Sequence, residues 1–566
     1  MKRILECVPN FSEGRNMDII QQITTQIEAI EGVKLLDIDP GKATNRTVVT
    51  FVGEPEAVVE AAFQAIKKAG EVIDMSKHSG EHPRFGATDV CPLIPIAGVS
   101  MEEAADYARQ LAARVGRELG IPIYLYESAA SQPNRKNLAT VRAGEYEGLP
   151  KKLSDANWIP DAGPAEFNER VKKTGVTAIG ARDFLIAYNV NINTTSTRRA
   201  NSIAFDVREN GRIKREGDPI TGKIVLDEAG NPMRERGACK AVKAIGWYIE
   251  EYGQCQISMN LTNINLTPLH IAFDEVCKSA QNRGMRVTGS ELVGLVPLKS
   301  MLAAGRYFLK QQQRSVGVSE EELIHIAIKT MGLDELTPFD PQKKIIEYLL
   351  QDVNKTPLLH KNLQEFADET ASESPAPGGG SISAYVGALG ISLGTMVANL
   401  SAHKRGWDER WEEFSDWAEK GQTFKQQLLQ LVDEDTAAFN GIMDAIRLPK
   451  KTDDEKLARK EALQNATKNA IEVPYRIMEI SLASMEVLKA MAQIGNPASV
   501  SDAGVGAACA RTAVIGAFLN VQINADGLED KQFIAEKLQK GAAMVVNAKA
   551  LEAEILEIVE KKINGM

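Results

Sequence analysis

Cysteine and histidine are both scarce, six of each in 566 residues. Cys7, Cys91, Cys239, Cys255, Cys277 and Cys509 form no CxxC pair and stand near no histidine. They therefore indicate neither a zinc site nor a disulfide framework, and they read as reduced thiols. A basic excess is also missing. The 66 Lys and Arg against 76 Asp and Glu leave a formal charge of -10, which argues against general binding to nucleic-acid phosphates. No dinucleotide-binding glycine fingerprint occurs, so no nucleotide cofactor is expected. The amino-terminal MKRILECVPN enters an apolar strand pattern without the h-region of a secretory signal, and cytoplasmic residence is the expectation. One uncharged run, Ile382 to Leu400, approaches the length of a membrane span. Its Gly387, Gly390 and Gly394 favour close helix contact, and Ser383, Ser392 and Asn399 add polarity, which suits a buried bundle helix rather than a membrane.

What is present is a conventional globular composition, 44% apolar, at a length that implies about three or four domains. The first third alternates strand-like and helix-like runs. Arg3 to Val8, Val33 to Ile38, Arg46 to Val52, Val90 to Ile96 and Ile121 to Tyr126 read as strands. Met17 to Ile30, Glu56 to Ala69 and Met101 to Glu118 read as helices, which predicts helices layered on a sheet. A polar stretch near 157–174 precedes a second such segment. There, Gly180 to Asn193 reads as one strand, Ser196 to Arg208 as a helix, and Gly211 to Arg236 as a β-hairpin excursion. Cys255 to Leu261 and Met285 to Thr288 supply further strands.

From about Ser319 the alternation gives way to a 3.6-residue period. Long segments follow at Trp411 to Leu431, Asp454 to Leu488 with a break expected near Pro474, Ala503 to Leu519, and Lys531 to Ile563. That is an all-α domain.

The stretch SGEHPRFGATD, residues 79–89, holds His82 among glycines and a proline, so it is presented by a loop or strand end rather than packed in a stripe. A histidine so placed is either a local cap or a candidate acid and base. With MKRILECVPNFSEGR at the amino terminus and LLDIDPGKATNRTVVTFV at 35–52, this stretch resembles the formiminotransferase half of the formiminotransferase-cyclodeaminase family. PAPGGGSISA at 375–384, SDAGVGAACA at 501–510 and NVQIN at 520–524 resemble its cyclodeaminase half. The resemblance implies an α+β fold of two α/β-sandwich-like subdomains, residues 1–178 and 179–318. Linker helices would follow over 319–362, then an all-α cyclodeaminase domain over 363–566. The 211–236 excursion reads as an insertion relative to that family.

The implied reactions move a formimino group from N-formimino-L-glutamate to N5 of tetrahydrofolate, then close N10 onto that carbon with loss of ammonia, as in histidine breakdown. The resemblance implies folate, in polyglutamated form, as the carrier substrate, and no metal. His82 becomes the acid and base of the transfer, and Asp39 a positioning carboxylate whose plain alternative is a solvated turn acid or a helix cap. Arg15, Arg46, Arg84 and Arg182 are the motif-borne cations able to take carboxylates bidentately, each also able to be a surface ion pair. Asn10 and Asn45 belong to the same motifs. Gly163 to Gly175 and KAVKAIGW, with Lys240, Lys243 and Gly246, match regions the family uses for folate.

For the cyclisation, Asp433 and Asp435 compete. At 100° per residue Asp435 shares a stripe with Leu428, Val432, Phe439 and Ile442, while Asp433 points away. A carboxyl on that face is either hydrogen-bonded core or the wall of a pocket, and the resemblance selects the pocket. Gly378, Gly379, Gly380 and Ser381, opening a helix with free N–H groups, and Asp502 are the expected binding residues. His78 and His403 are pocket-edge candidates, whereas His270, His325 and His360 read as packing or surface residues. The partners expected are the two small-molecule substrates and further copies of the chain. Two alternatives stand: a transferase with an inactive helical half, and a non-catalytic folate-binding scaffold.

Overall fold

The structure is a computed structural model that describes residues 3–42, 44–80, 83–217, 222–349, 358–374 and 376–565. The chain divides into two compact units, 1–303 with 328–351 and 304–327 with 352–566.

The first unit opens with β1 (Ile4–Cys7), β2 (Asn10–Phe11), α1 (Met17–Glu28), β3 (Val33–Gly41), β4 (Arg46–Gly53), α2 (Pro55–Val72), β5 (Thr88–Ala97), α3 (Met101–Leu119) and β6 (Ile123–Glu127). Short helices α4 (Leu138–Val141), α5 (Leu149–Leu153) and α6 (Glu169–Thr174) lead to β7 (Thr177–Ala181). Asn16 caps α1 by accepting from Asp18 and Ile19, and the spacing of Ile20, Ile23 and Ile27 buries one face. A reciprocal Ser100–Glu103 capping box starts α3, and Gly120 ends it in the left-handed region.

The strands order as β3–β4–β1/β2–β5–β7–β6, with β1 and β2 sharing one position and β5, β7 and β6 parallel. Side chains alternate across this sheet. Leu5, Cys7, Val49, Phe51, Cys91 and Leu93 go to the core beneath α1, α2 and α3. Their neighbours Glu6, Val8, Asn10, Val48, Thr50, Val90, Pro92 and Ile94 go to the other face and line a cavity.

The second sheet orders as β13 (Val242–Ile249), β14 (Gln254–Leu261), β8 (Ile186–Ile192) and β15 (Val287–Val293), antiparallel throughout. α7 (Thr197–Val207) and α8 (Leu269–Gln281) cover it. Between α7 and β13 the excursion is a nested hairpin, β9 (Arg212–Ile213) with β12 (Arg234–Glu235) and β10 (Arg215–Glu216) with β11 (Lys223–Ile224). The single strand expected over 180–193 is two. β7 runs through the expected 178/179 boundary to Ala181, the chain crosses over at 182–185, and β8 begins in the other sheet. An apolar run cannot reveal such a crossing, because both sheets demand the same residues.

Next come α9 (Leu298–Gln311), α10 (Glu320–Met331), α11 (Pro341–Lys344) and α12 (Ile346–Leu349). Parts of α9 and α10 belong to the helical unit, which continues with α13 (Leu363–Thr370), α14 (Gly379–Ala402), α15 (Trp411–Arg447), α16 (Asp453–Ile494), α17 (Val500–Ala525) and α18 (Lys531–Asn564). α14 and α17 are long and apolar enough for a membrane by length and composition, yet both pack into the bundle core. They run antiparallel, with Gly379 at Asn520, Gly387 at Ala513 and Gly390 at Gly506. The break expected at Pro474 does not occur: α16 runs through it. Proline cannot donate to the carbonyl four residues back, and the Asn524 amide of α17 donates to that Ala470 carbonyl instead, at 2.7 Å. The Asp435 stripe is also only partly buried. Leu428 and Val432 are enclosed, but Phe439 is 36% exposed.

Candidate functional site

The first unit holds a cavity of about 450 Å³ between the outer face of the first sheet and the β8 and β15 side of the second. Strand alternation brings Asn10 of β2 to it together with Asp39 and Arg46 of the β3–β4 hairpin, and Arg182 enters from the crossover after β7. Arg46 donates to Asn10 Oδ1 through Nε at 3.0 Å and Nη2 at 2.8 Å, and it pairs with fully buried Asp89. Arg142 meets the same carboxylate at 2.8 Å. Two guanidiniums thus share one buried acid and leave a net positive charge at the wall. Glu6 lies on that wall too, 1% exposed, and burial pushes its carboxyl up to about 7.

Glu81 and His82 lie outside the described residues. The chain flanking them is anchored on both sides: Asn45 Nδ2 donates to the Ser79 carbonyl at 2.8 Å, and Arg142 donates to the Pro83 carbonyl. Asn45 Oδ1 accepts from Gly14 N at 3.0 Å, so both ends of this amide hold backbone. His78 caps the Asn45 carbonyl at 2.9 Å, and burial lowers its pKa. Arg15 stands on the surface, donating to the Lys42 carbonyl at 3.0 Å. Arg84 pairs with Glu147 at 2.5 Å and lies over the Tyr146 ring. Neither lines the cavity.

Gly163 and Gly175 also stand elsewhere, and both have positive φ. A Cβ at Gly163 would strike the Ile121 carbonyl, and one at Gly175 the backbone at Phe85 and Gly86. Close backbone approach accounts for both glycines. In β13, Gly246 exchanges two hydrogen bonds with the Asn201 side chain of α7, which is a packing role. Lys240 is exposed, and its carbonyl accepts from Thr267. Lys243 lines a separate open depression with Arg208, Arg234 and Arg236.

In the helical unit, α14 starts at Gly379 with Gly378 as N-cap. Ser381 Oγ donates to the Val432 carbonyl at 2.9 Å and to Asp435 Oδ2 at 3.1 Å. The Ser381 backbone N–H also bonds Asp435. The carboxyl therefore takes the place of a helix cap, where unpaired N–H groups and the helix dipole favour negative charge. Burial outweighs this and raises its pKa. Glycine at 380 leaves room for the Asp435 carboxyl, which a Cβ there would displace. Asp433 turns away and accepts from Leu358 N at 2.7 Å. Asp502, in the first turn of α17, is not brought to this place within the chain. Asn520 is, and the antiparallel register puts Asp502 about 27 Å from it along the helix. His403 lines a different depression with Lys425 and Asn399.

The residues missed in sequence are Glu6, Arg142 and Asn520. An acid inside the apolar run ILECV is the one available signal for Glu6. Nothing local marks Arg142, and Asn520 has meaning only once α17 is aligned on α14. Among the described residues no cluster of three or more His, Cys, Asp or Glu forms a metal site.

Comparison with known proteins covers both regions. Residues 4–182 match the model of the formiminotransferase domain, N-terminal subdomain, 187–351 that of the formiminotransferase domain, and 362–543 that of formiminotransferase-cyclodeaminase. The formimidoyltransferase-cyclodeaminase of Mus musculus is 41% identical, covering 99% of this chain and 100% of its own. A glutamate formimidoyltransferase of Streptococcus pyogenes serotype M1 is 41% identical over 55% of this chain and 94% of its own. A methenyltetrahydrofolate cyclohydrolase of Methylorubrum extorquens is 35% identical over 36% of this chain and 99% of its own.

Proposed function

Because the chain belongs to the formiminotransferase-cyclodeaminase family, we infer that it is a bifunctional folate enzyme. Its first unit transfers the formimino group from N-formimino-L-glutamate to tetrahydrofolate. Its helical unit cyclises 5-formiminotetrahydrofolate to 5,10-methenyltetrahydrofolate and releases ammonia. The observation that carries this reading is the pairing, on one chain, of an arginine-lined cavity with a half-buried carboxyl at a helix N-terminus.

In the transfer, N5 of tetrahydrofolate attacks the formimino carbon and loses a proton, and the bond from that carbon to the glutamate nitrogen breaks as that nitrogen gains one. His82, titrating near neutrality, serves both proton movements. Arg46 and Arg142 receive the carboxylates of the donor, and Asp39 orients the reacting groups. In the cyclisation, N10 attacks the same carbon and ammonia departs once protonated. Asp435 supplies that proton, because burial keeps its carboxyl protonated to a higher pH than an exposed one.

The same reading places the enzyme in histidine breakdown, in the cytoplasm, as a homo-oligomer acting on polyglutamated folate without a metal or nucleotide cofactor and without nucleic-acid or membrane partners. The free thiols support a reducing compartment. Purified protein given N-formimino-L-glutamate and tetrahydrofolate is expected to produce methenyltetrahydrofolate absorbance together with ammonia. Accumulation of 5-formiminotetrahydrofolate without cyclisation would remove the second activity.

A further inference from the structure

The roles above leave Glu6 unused. Its side chain is on the cavity face of β1, and Oε2 has no hydrogen-bond partner among the described residues. A buried carboxyl oxygen left unbonded is costly, and a ligand that completes it removes that cost.

The strand register says what lies around it. Glu6 faces Val52 of β4 and Ile94 of β5, while Asn10 faces Val48 and Val90. Between them the cavity floor is Val8, Thr50 and Pro92. The cavity thus has the Glu6 carboxyl with Arg182 near it at one end, a largely apolar floor, and Arg46 with Arg142 at the other end. Four residues of extended chain separate Glu6 from Asn10 by about 13 Å. That reach suits a two-ring heterocycle with its edge at Glu6 and a reacting group on its far ring.

We propose that Glu6 is a positioning residue for the folate: its carboxylate accepts the N3–H and 2-amino protons of the pterin, directing N5 toward the arginine end of the cavity. The proposal rests on the transferase reading and specifies how that site takes its second substrate. The 2-amino-4-oxopyrimidine edge offers two parallel N–H donors, which a carboxylate meets bidentately much as it meets a guanidinium. Asp39 is half-buried and stands beside the cationic end, a poorer match for the apolar ring.

Charge around Glu6 gives the proposal a pH signature. Arg182 lowers its pKa, Glu347 of α12 raises it, and burial outweighs both. Cys7 adjoins it on β1, and Asp39, Arg46, Tyr126 and Arg142 stand on other walls of the same cavity. Pterin donors require the ionised form, so affinity should fall as pH drops below about 7.

The test uses the full-length enzyme and measures glutamate release, which reads the transferase site alone. Glu6→Gln is expected to raise KM for tetrahydrofolate roughly ten- to hundredfold and leave KM for N-formimino-L-glutamate unchanged. The inhibition constant of 5-formyltetrahydrofolate should weaken by a similar factor and lose its acid-side pH dependence. For the 2-desamino-2-methyl analogue, the gap between wild type and variant should shrink to less than about threefold. Equal inhibition of wild type and variant by 5-formyltetrahydrofolate overturns the proposal, as does an equal loss for both inhibitors or a parallel rise in both KM values. A wild-type enzyme that releases no glutamate overturns the transferase reading, and this inference with it.

Discussion

The sheet unit surrounds its cavity with several charges from separate strands, whereas the helical unit relies on one carboxyl set against a helix N-terminus. In the sheet, neighbouring strands lie about 4.8 Å apart, so Asn10, Asp39, Arg46 and Asp89 converge on one place from across 80 residues. In the bundle the backbone itself provides the donors. Ser381 N–H and Oγ hold Asp435, and a glycine leaves room for it. The difference teaches how each fold tunes a charge: the sheet balances side chain against side chain, and the helix balances burial against its own unpaired amides.

The largest effect should separate the two sites completely. Asp435→Asn is expected to lower cyclisation about 10²- to 10⁴-fold with transfer intact, and His82→Ala to do the reverse. Single-turnover assays of each half-reaction, with supplied 5-formiminotetrahydrofolate for the second, decide it. Both rates falling together in either variant would break the comparison.

Asp89→Asn tests whether the sheet site depends on charge balance. Removing the acid leaves Arg46 and Arg142 facing each other while largely buried, and a loss of about 3–5 kcal/mol is expected. Denaturant unfolding of the sheet unit should show it. An unchanged midpoint would mean that solvent already screens the pair.

Gly380→Ala tests crowding in the bundle. The added methyl displaces the Asp435 carboxyl, and cyclisation should drop about 10- to 100-fold with far-UV circular dichroism unchanged. The smallest effect concerns Ser381→Ala. The hydroxyl lowers the pKa of Asp435, so its loss raises that pKa further. A general acid works while protonated, and the alkaline limb of the cyclisation rate should therefore move to higher pH. A shift toward acid would contradict the hydrogen-bond assignment.

Much of this was legible in the chain. The β1–α1–β3–β4–α2 order, the capped helices and the change of period near Ser319 follow from local pattern, and Asp435 was separated from Asp433 by helical geometry alone. Local reading failed where a remote residue intervened. Pro474 stays inside a helix because Asn524 satisfies the Ala470 carbonyl. Gly163, Gly175 and Gly246 carry backbone contacts that no spacing reveals.

The amino-acid sequence by itself determined the two architectures, because periodicity is a local property written into consecutive positions, and its motifs carried the family resemblance that implies both chemistries. Only the tertiary structure decided which residues share a site. It joined Arg142 to Arg46 through Asp89, put Glu6 on the cavity wall, and brought Asn520 rather than Asp502 to the start of α14. Strand register and antiparallel helix packing set these pairings, and both are fixed by the burial of whole faces rather than by the identity of any one residue.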